Sequence, residues 1–155
     1  TQQGIVGPWH ERLPHFCMEF TPSSGDEIQS EYFIPREHTA AAYQALLALS
    51  AEIQPLLYVS EIRTIKADML WLSPAYGRDV TAFHFTWRQR PSKVMAVLAK
   101  IEALLLPLGA QPHWGKVYIE PPTGYAKMAD FMSLRQAFDL GGKFVNPYIE
   151  RVLEI

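Results

Sequence analysis

Val80-Thr81-Ala82-Phe83-His84-Phe85-Thr86-Trp87 decides how this chain folds. Successive side chains of a β-strand point to opposite faces, so Phe83, Phe85 and Trp87 form an all-aromatic side while His84 and Thr86 form the other. An aromatic side of that size belongs under other elements, and His84 and Thr86 must then face away from that core. One covered face and one free face are the mark of an antiparallel sheet packed with helices on one side.

Upstream, Leu56 to Ile65 reads as a strand in which Leu57, Val59, Glu61 and Arg63 line one side and Tyr58, Ser60, Ile62 and Thr64 the other. Glu61 and Arg63 share the side of His84 if Tyr58 and Ile62 pack inward. Before it, Ile28 to Ile34 alternates as a strand ended by Pro35. Arg36 to Ile53 places Ala42, Ala45, Leu46 and Leu49 at helical spacing and is closed by Pro55. Asp68 to Arg78, with Pro74 and Gly77, reads as a loop. After Pro91, Ser92 is the expected N-cap of a helix running through Leu106 and stopped by Pro107 and Gly109. His113 to Ile119 reads as the last strand, and Pro121-Pro122 precedes a third helix from Tyr125 to Asp139. The order strand, helix, strand, strand, helix, strand from Ile28 to Ile119 predicts an α+β fold with a ferredoxin-like antiparallel sheet and helices on one face. Phe16, Met18 and Phe20 alternate with Cys17 and Glu19 ahead of a turn at Thr21 to Asp26, so an N-terminal hairpin strand is expected to extend that sheet.

With 155 residues and 48% hydrophobic content, one domain with its own core is expected. A net charge of -2 and singly scattered Lys and Arg leave no basic footprint for nucleic acid. Cys17 stands alone, which excludes an intrachain disulfide and a paired-cysteine zinc site. Thr1-Gln2-Gln3-Gly4 has no signal-peptide character, and no apolar run reaches the ~20 residues that span a bilayer. A soluble, cytoplasmic protein is the expectation. Gly4, Gly7 and Pro8 make the opening read as an interdomain connection, so a piece of a longer protein is expected.

Three strands would thus present Glu61, Arg63, His84, Thr86 and Lys116 together, the last beside Gly115, which permits close approach of a ligand. The set offers donors and acceptors suited to a polyhydroxylated molecule, with Arg as a rigid fork and Lys as a movable point charge. Each residue also has an ordinary reading. Glu61 and Arg63 could be an exposed ion pair worth ~0–1 kcal/mol, His84 a half-buried structural histidine, Thr86 a strand former, and Lys116 a surface charge. Cys17 reads as a core-facing or half-buried thiol with nothing beside it to activate it. His10, His15, His38 and His113 show no metal-ligand spacing and read as incidental, and Trp9 and Trp71 as packing residues, although an aromatic on a loop can also wall a pocket.

Six stretches in series carry a resemblance: Gly7 to Phe16, Val59 to Thr64, Leu70 to Pro74, His84-Phe85-Thr86-Trp87, Pro112-His113-Trp114-Gly115-Lys116 and Phe138 to Asn146. Together they closely resemble the C-terminal part of alditol (xylitol) oxidases, FAD-linked enzymes of the vanillyl-alcohol oxidase superfamily. Sugar-1,4-lactone oxidases for gulono- and arabinono-lactone share the His-Trp-Gly-Lys element and the tail. The resemblance implies a substrate-binding domain over residues 1–155 whose sheet lies above a flavin held by a separate N-terminal FAD domain. Residues 1–14 would be a connecting leader, and about 138–155 a tail packed on that FAD domain. It implies that Glu61, Arg63, Thr86 and Lys116 hydrogen-bond a polyol or sugar-lactone substrate. His84, Arg63 and Lys116 would be the catalytic groups, with His84 beside the hydroxyl being oxidised. The implied reaction moves a hydride from a primary alcohol to FAD, which O2 reoxidises to give H2O2. Cofactor-binding residues and metal ligands are expected to be absent from this chain, the histidine that carries the flavin would precede Thr1, and the fragment alone would be inactive. A partner in nucleic acid or membrane is not expected. The alternatives are a lactone-oxidase substrate domain, a non-enzymatic ferredoxin-like ligand-binding module, and a dimerisation domain using its open sheet face.

Overall fold

Phe83, Phe85 and Trp87 lie in the core of the computed structural model, between the sheet and the helices that cover it. The structure describes residues 5–12 and 25–153, of Trp9 the backbone only. The elements are α1 (Trp9–Arg12), β1 (Glu27–Pro35), α2 (Thr39–Ala48), α3 (Ser50–Ile53), β2 (Leu57–Ile65), β3 (Val80–Arg88), α4 (Pro91–Leu105), β4 (Gln111–Pro112), α5 (Met128–Phe138) and α6 (Pro147–Leu153). The strands pair antiparallel in the order β2-β3-β1-β4, with helical crossovers from β1 to β2 and from β3 to β4. This is the ferredoxin-like order.

Alternation along the strands builds the core. Tyr32 and Ile34 from β1 join Phe83, Phe85 and Trp87 from β3 against Ala42 and Leu46 of α2 and Val94, Leu98, Ile101 and Leu105 of α4. Phe85 and Trp87, two residues apart on one face, stack with ring centroids 5.0 Å apart, and the Trp87 indole donates to Ser30 Oγ at 2.9 Å. Among the described residues the carboxylate set into this layer is Glu102 on α4, only 2% exposed. Its Oε1 accepts from the Tyr32 hydroxyl and the Ile119 amide, its Oε2 from the Glu120 amide, each at 2.8 Å. Burial and the neighbouring Glu102 charge push the Tyr32 phenol well above its ordinary range.

Three elements differ from expectation: the helix expected over Arg36 to Ile53 is a 3-10 turn at Arg36–His38 followed by α2 and α3, which part at Leu49. Ser92 is not the N-cap of α4: Pro91 takes the first helical position, where its missing N–H costs nothing and its fixed φ fits, and Arg90 precedes it without a side-chain cap bond. His113 to Ile119 is not a strand either. β4 stops at Pro112, and the chain folds into a turn in which Gly115 N–H donates to His113 Nδ1 at 3.0 Å and Lys116 N–H to the His113 carbonyl at 3.2 Å. One further bond reaches β1, from His113 N–H to the Glu31 carbonyl at 2.9 Å, and the His113 ring then closes the turn. The backbone rejoins β1 where Val117 N–H meets the Gln29 carbonyl at 2.9 Å. The hairpin strand at Phe16 to Phe20, together with His15 and Cys17, lies outside the described residues.

Candidate functional site

The register of the sheet aligns the polar residues in rows. His84 on β3 stands opposite Glu31 on β1 and Glu61 on β2, Thr86 opposite Gln29 and Val59, and Ala82 opposite Phe33 and Arg63. Cross-strand partners share a face, so Glu61, Arg63, His84 and Thr86 all lie on the side away from the helices. The turn after β4 adds Lys116 to the same place. The structure therefore brings together the five residues singled out from the sequence.

At their centre is a residue that sequence reasoning missed. Glu31, 5% exposed, receives Lys116 Nζ on Oε2 at 2.6 Å and Arg63 Nη1 on Oε1 at 3.3 Å. The other end of the Arg63 guanidinium is paired with Glu61. Lys116 Nζ also lies 2.8 Å from His84 Nδ1, while Glu31 Oε2 is 3.6 Å from that nitrogen. An ammonium only donates, so Nδ1 accepts and the ring proton sits on Nε2, which meets Thr86 Oγ1 at 3.2 Å. A connected chain of polar groups results, running Thr86, His84, Lys116, Glu31, Arg63, Glu61.

Exposure grades outward along that chain. The side chains of Glu31 and His84 are buried and that of Lys116 nearly so, whereas Arg63 and Glu61 on the edge strand are about half exposed. The Arg63–Glu61 pair is thus of the surface kind, worth ~0–1 kcal/mol, and what ties Arg63 inward is its second contact, to Glu31. Burial alone would raise the Glu31 carboxyl, but the Lys116 ammonium on its Oε2, itself held on His84 Nδ1, more than offsets that and keeps it at about 2. Two carboxylates and two cations leave the cluster without net charge.

His113, read as incidental, belongs to the rim of this site. Its ring stacks on Phe33 with centroids 5.8 Å apart, its amide donates to the Glu31 carbonyl at 2.9 Å, and its Nδ1 closes the turn that carries Lys116. Burial and then the Lys116 charge hold its imidazole below the ordinary histidine range. An open groove of about 660 Å³, lined by Gln29, Trp114, Gly115, Lys116 and Tyr148 among others, runs along this turn. Trp114 is fixed from behind, its indole donating to Tyr125 Oη at 2.6 Å and its carbonyl accepting from the Tyr148 hydroxyl. Beyond the turn, α5 and α6 enclose a second, apolar groove of about 550 Å³ lined by Trp114, Phe131, Leu134, Phe138, Phe144 and Leu153 among others.

A dinucleotide cofactor is gripped by a glycine-rich turn opening a helix. The helices against the sheet open on Thr39 and on Pro91, which has no N–H, and Lys127 at the start of α5 is paired with Asp130 at 2.7 Å. Among the described residues no group of three or more His, Cys, Asp or Glu is placed to hold a metal, and no helix is long and apolar enough to cross a membrane.

Fold and site together define a ferredoxin-like sheet domain with a polar, charge-balanced open face, and the chain belongs to the D-arabinono-1,4-lactone oxidase family, whose profile it matches over residues 20–152. It is 43% identical to the alditol oxidase of Streptomyces sp. over 159 aligned positions, 99% of this chain and 38% of that protein. It is 28% identical to the L-gulono-1,4-lactone dehydrogenase of Mycobacterium tuberculosis, over 81% of this chain and 30% of that protein. The L-gulonolactone oxidase of Bos taurus is 30% identical over 79% of this chain and 30% of its own length. The chain thus spans about a third of each of these relatives.

Proposed function

We propose that this chain is the substrate-binding domain of a flavin-dependent alditol oxidase, which oxidises a primary alcohol of a polyol with O2 and gives H2O2. The observation that carries the reading is the convergence of Glu61, Arg63, His84, Thr86 and Lys116, through Glu31, on one sheet face. Because that cluster is charge-balanced, it has no excess charge to attract a phosphorylated or carboxylated substrate. It does offer alternating donors and acceptors to a chain of hydroxyls. Substrate contacts of this kind discriminate strongly, since a ligand lacking a hydroxyl leaves a buried polar group unpaired.

FAD, held by another domain of the same polypeptide, supplies the hydride acceptor when bound. This chain's residues bind and orient the polyol. Glu61, Arg63 and Thr86 take its hydroxyls, and Lys116 and Arg63 hold the charge that gathers on the reacting oxygen. His84 stands beside the hydroxyl being oxidised and keeps Thr86 and Lys116 in line. Residues 1–14 connect to the FAD domain and the tail from about 138 packs on it. The exposure of Phe138, Leu140 and Phe144, between 78% and 91%, supports such a cover. The fragment alone is inactive on this reading. A sugar-1,4-lactone is the second candidate substrate, because the family and two of the relatives carry that name. Greater identity to the alditol oxidase favours the polyol.

The test is peroxide production by the full-length protein on a panel of polyols and lactones, with Arg63→Ala and Lys116→Ala beside the wild type. Each variant is expected to lose at least tenfold in turnover, on the order of 1.4 kcal/mol of transition-state stabilisation, with bound flavin retained. Unchanged turnover removes Arg63 and Lys116 from the site.

A further inference from the structure

We propose that Glu31 is the positioning residue of this site: from the middle of β1 it holds the Lys116 ammonium against Nδ1 of His84, leaving one N–H of Lys116 for a ligand oxygen and the ring proton of His84 on Nε2. The assignment rests on the reading of this face as a polyol site. An ammonium has three N–H groups. One is spent on Glu31 Oε2 at 2.6 Å and one on His84 Nδ1 at 2.8 Å, so a single donor remains, and its direction is set by the other two.

Every charged or titratable neighbour points the same way. From β2, Arg63 occupies the second oxygen of Glu31 at 3.3 Å, and Glu61 is turned outward onto Arg63. From β3, His84 lies 3.6 Å from the carboxylate, and from the turn after β4 come Lys116 and His113, the latter through its amide. Each carboxylate oxygen therefore has its own cation. An amide in its place offers one acceptor and one donor group to two cations, so one cation is always left facing an N–H. Lys116, tucked in at 17% side-chain exposure, then has no anion beside it and swings out, freeing His84 Nδ1. The carboxylate thus sets both the direction of the free Lys116 donor and the tautomer of His84, without touching the substrate itself.

The experiment compares the full-length protein with its Glu31→Gln and Glu31→Asp variants in two readouts. One is the pH dependence of kcat/KM on the polyol that the wild type oxidises. The other is the 15N spectrum of the His84 ring, assigned by its loss in His84→Asn. Glu31→Gln is expected to lower kcat/KM at least tenfold. Its alkaline limb moves, because the Lys116 ammonium has lost the carboxylate that faces it. The His84 signal changes from the Nε2–H form to a mixture. Glu31→Asp, which keeps the charge, recovers part of the alkaline limb. A folded Glu31→Gln protein with an unmoved limb and an intact Nε2–H signal overturns the proposal. If Glu31→Gln does not fold, Lys116→Met decides: an Nε2–H signal undisturbed by loss of the ammonium overturns it equally. A wild type that oxidises neither polyol nor lactone defeats the functional reading, and the His84 spectra of the same variants still judge Glu31.

Discussion

Glu31→Gln also tests how much stability the buried carboxylate contributes, and the size follows from its surroundings. Its ordinary value of 4.5 is lowered to about 2, burial acting against the shift and the Lys116 ammonium, held in place by His84 Nδ1, overcoming it. At about 1.4 kcal/mol per unit, the ionised form is favoured in the folded chain by roughly 3 kcal/mol. The folded carboxyl binds its proton at lower pH than the unfolded one, so this contribution is complete above about pH 4.5. It is lost as pH falls toward about 2 and is absent below that. Urea unfolding of the wild type and of Glu31→Gln, followed from about pH 7 to about pH 2, should give a gap in unfolding free energy that narrows by roughly 3 kcal/mol over that window. Asp79, also held below its ordinary range, by the Ala67 amide and Lys66, is common to both proteins and cancels from the gap. A gap constant to within about 0.5 kcal/mol across the whole range would refute the argument that Glu31 is ionised and paired in the folded chain.

Glu102→Gln should destabilise the protein by about 2–4 kcal/mol, because three donors converge on its two oxygens and an amide must oppose at least one of them. Hydrogen exchange at the Ile119 and Glu120 amides should accelerate, and unchanged protection there would show that the carboxylate does not hold that segment. Trp87→Phe should cost about 2–3 kcal/mol by leaving the fully buried Ser30 hydroxyl without its donor. Adding Ser30→Ala should recover about 1 kcal/mol, and a strictly additive double-mutant cycle would count against that hydrogen bond.

The fold was legible where the rule connecting residues to structure is local. Alternation alone placed Phe83, Phe85 and Trp87 in the core and His84 with Thr86 on the far side. The spacing of Ala42 and Leu46 picks out the inward stripe of α2, with Leu49 packed against the core at the joint with α3. What failed was the last strand, because a turn that borrows the His113 ring as a cap has no periodicity to read. Ser92 was misjudged for a related reason: serine is a common cap, but a proline just before it takes the first helical position and moves the cap back to Arg90.

Glu31 was hidden by topology rather than by chemistry. Glu27, Gln29 and Glu31 alternate with Ile28, Ser30 and Tyr32, and such a polar side on a hairpin strand reads as solvated. It is buried because the sheet order sets β1 between β3 and β4, so that a histidine on one flank and a lysine-bearing turn on the other close over it. The strand pattern does say which face Glu31 occupies. Only the order of strands says that the face is interior at that row. The same order explains why the groups divide their work. The inner strands carry the buried acid and imidazole, each held by polar partners within the cluster. The edge strand and the turn carry the guanidinium, the outer carboxylate and the free ammonium N–H, which remain within reach of a ligand. A site arranged in that way can exchange outer contacts for substrate hydroxyls while its charge balance stays fixed from within.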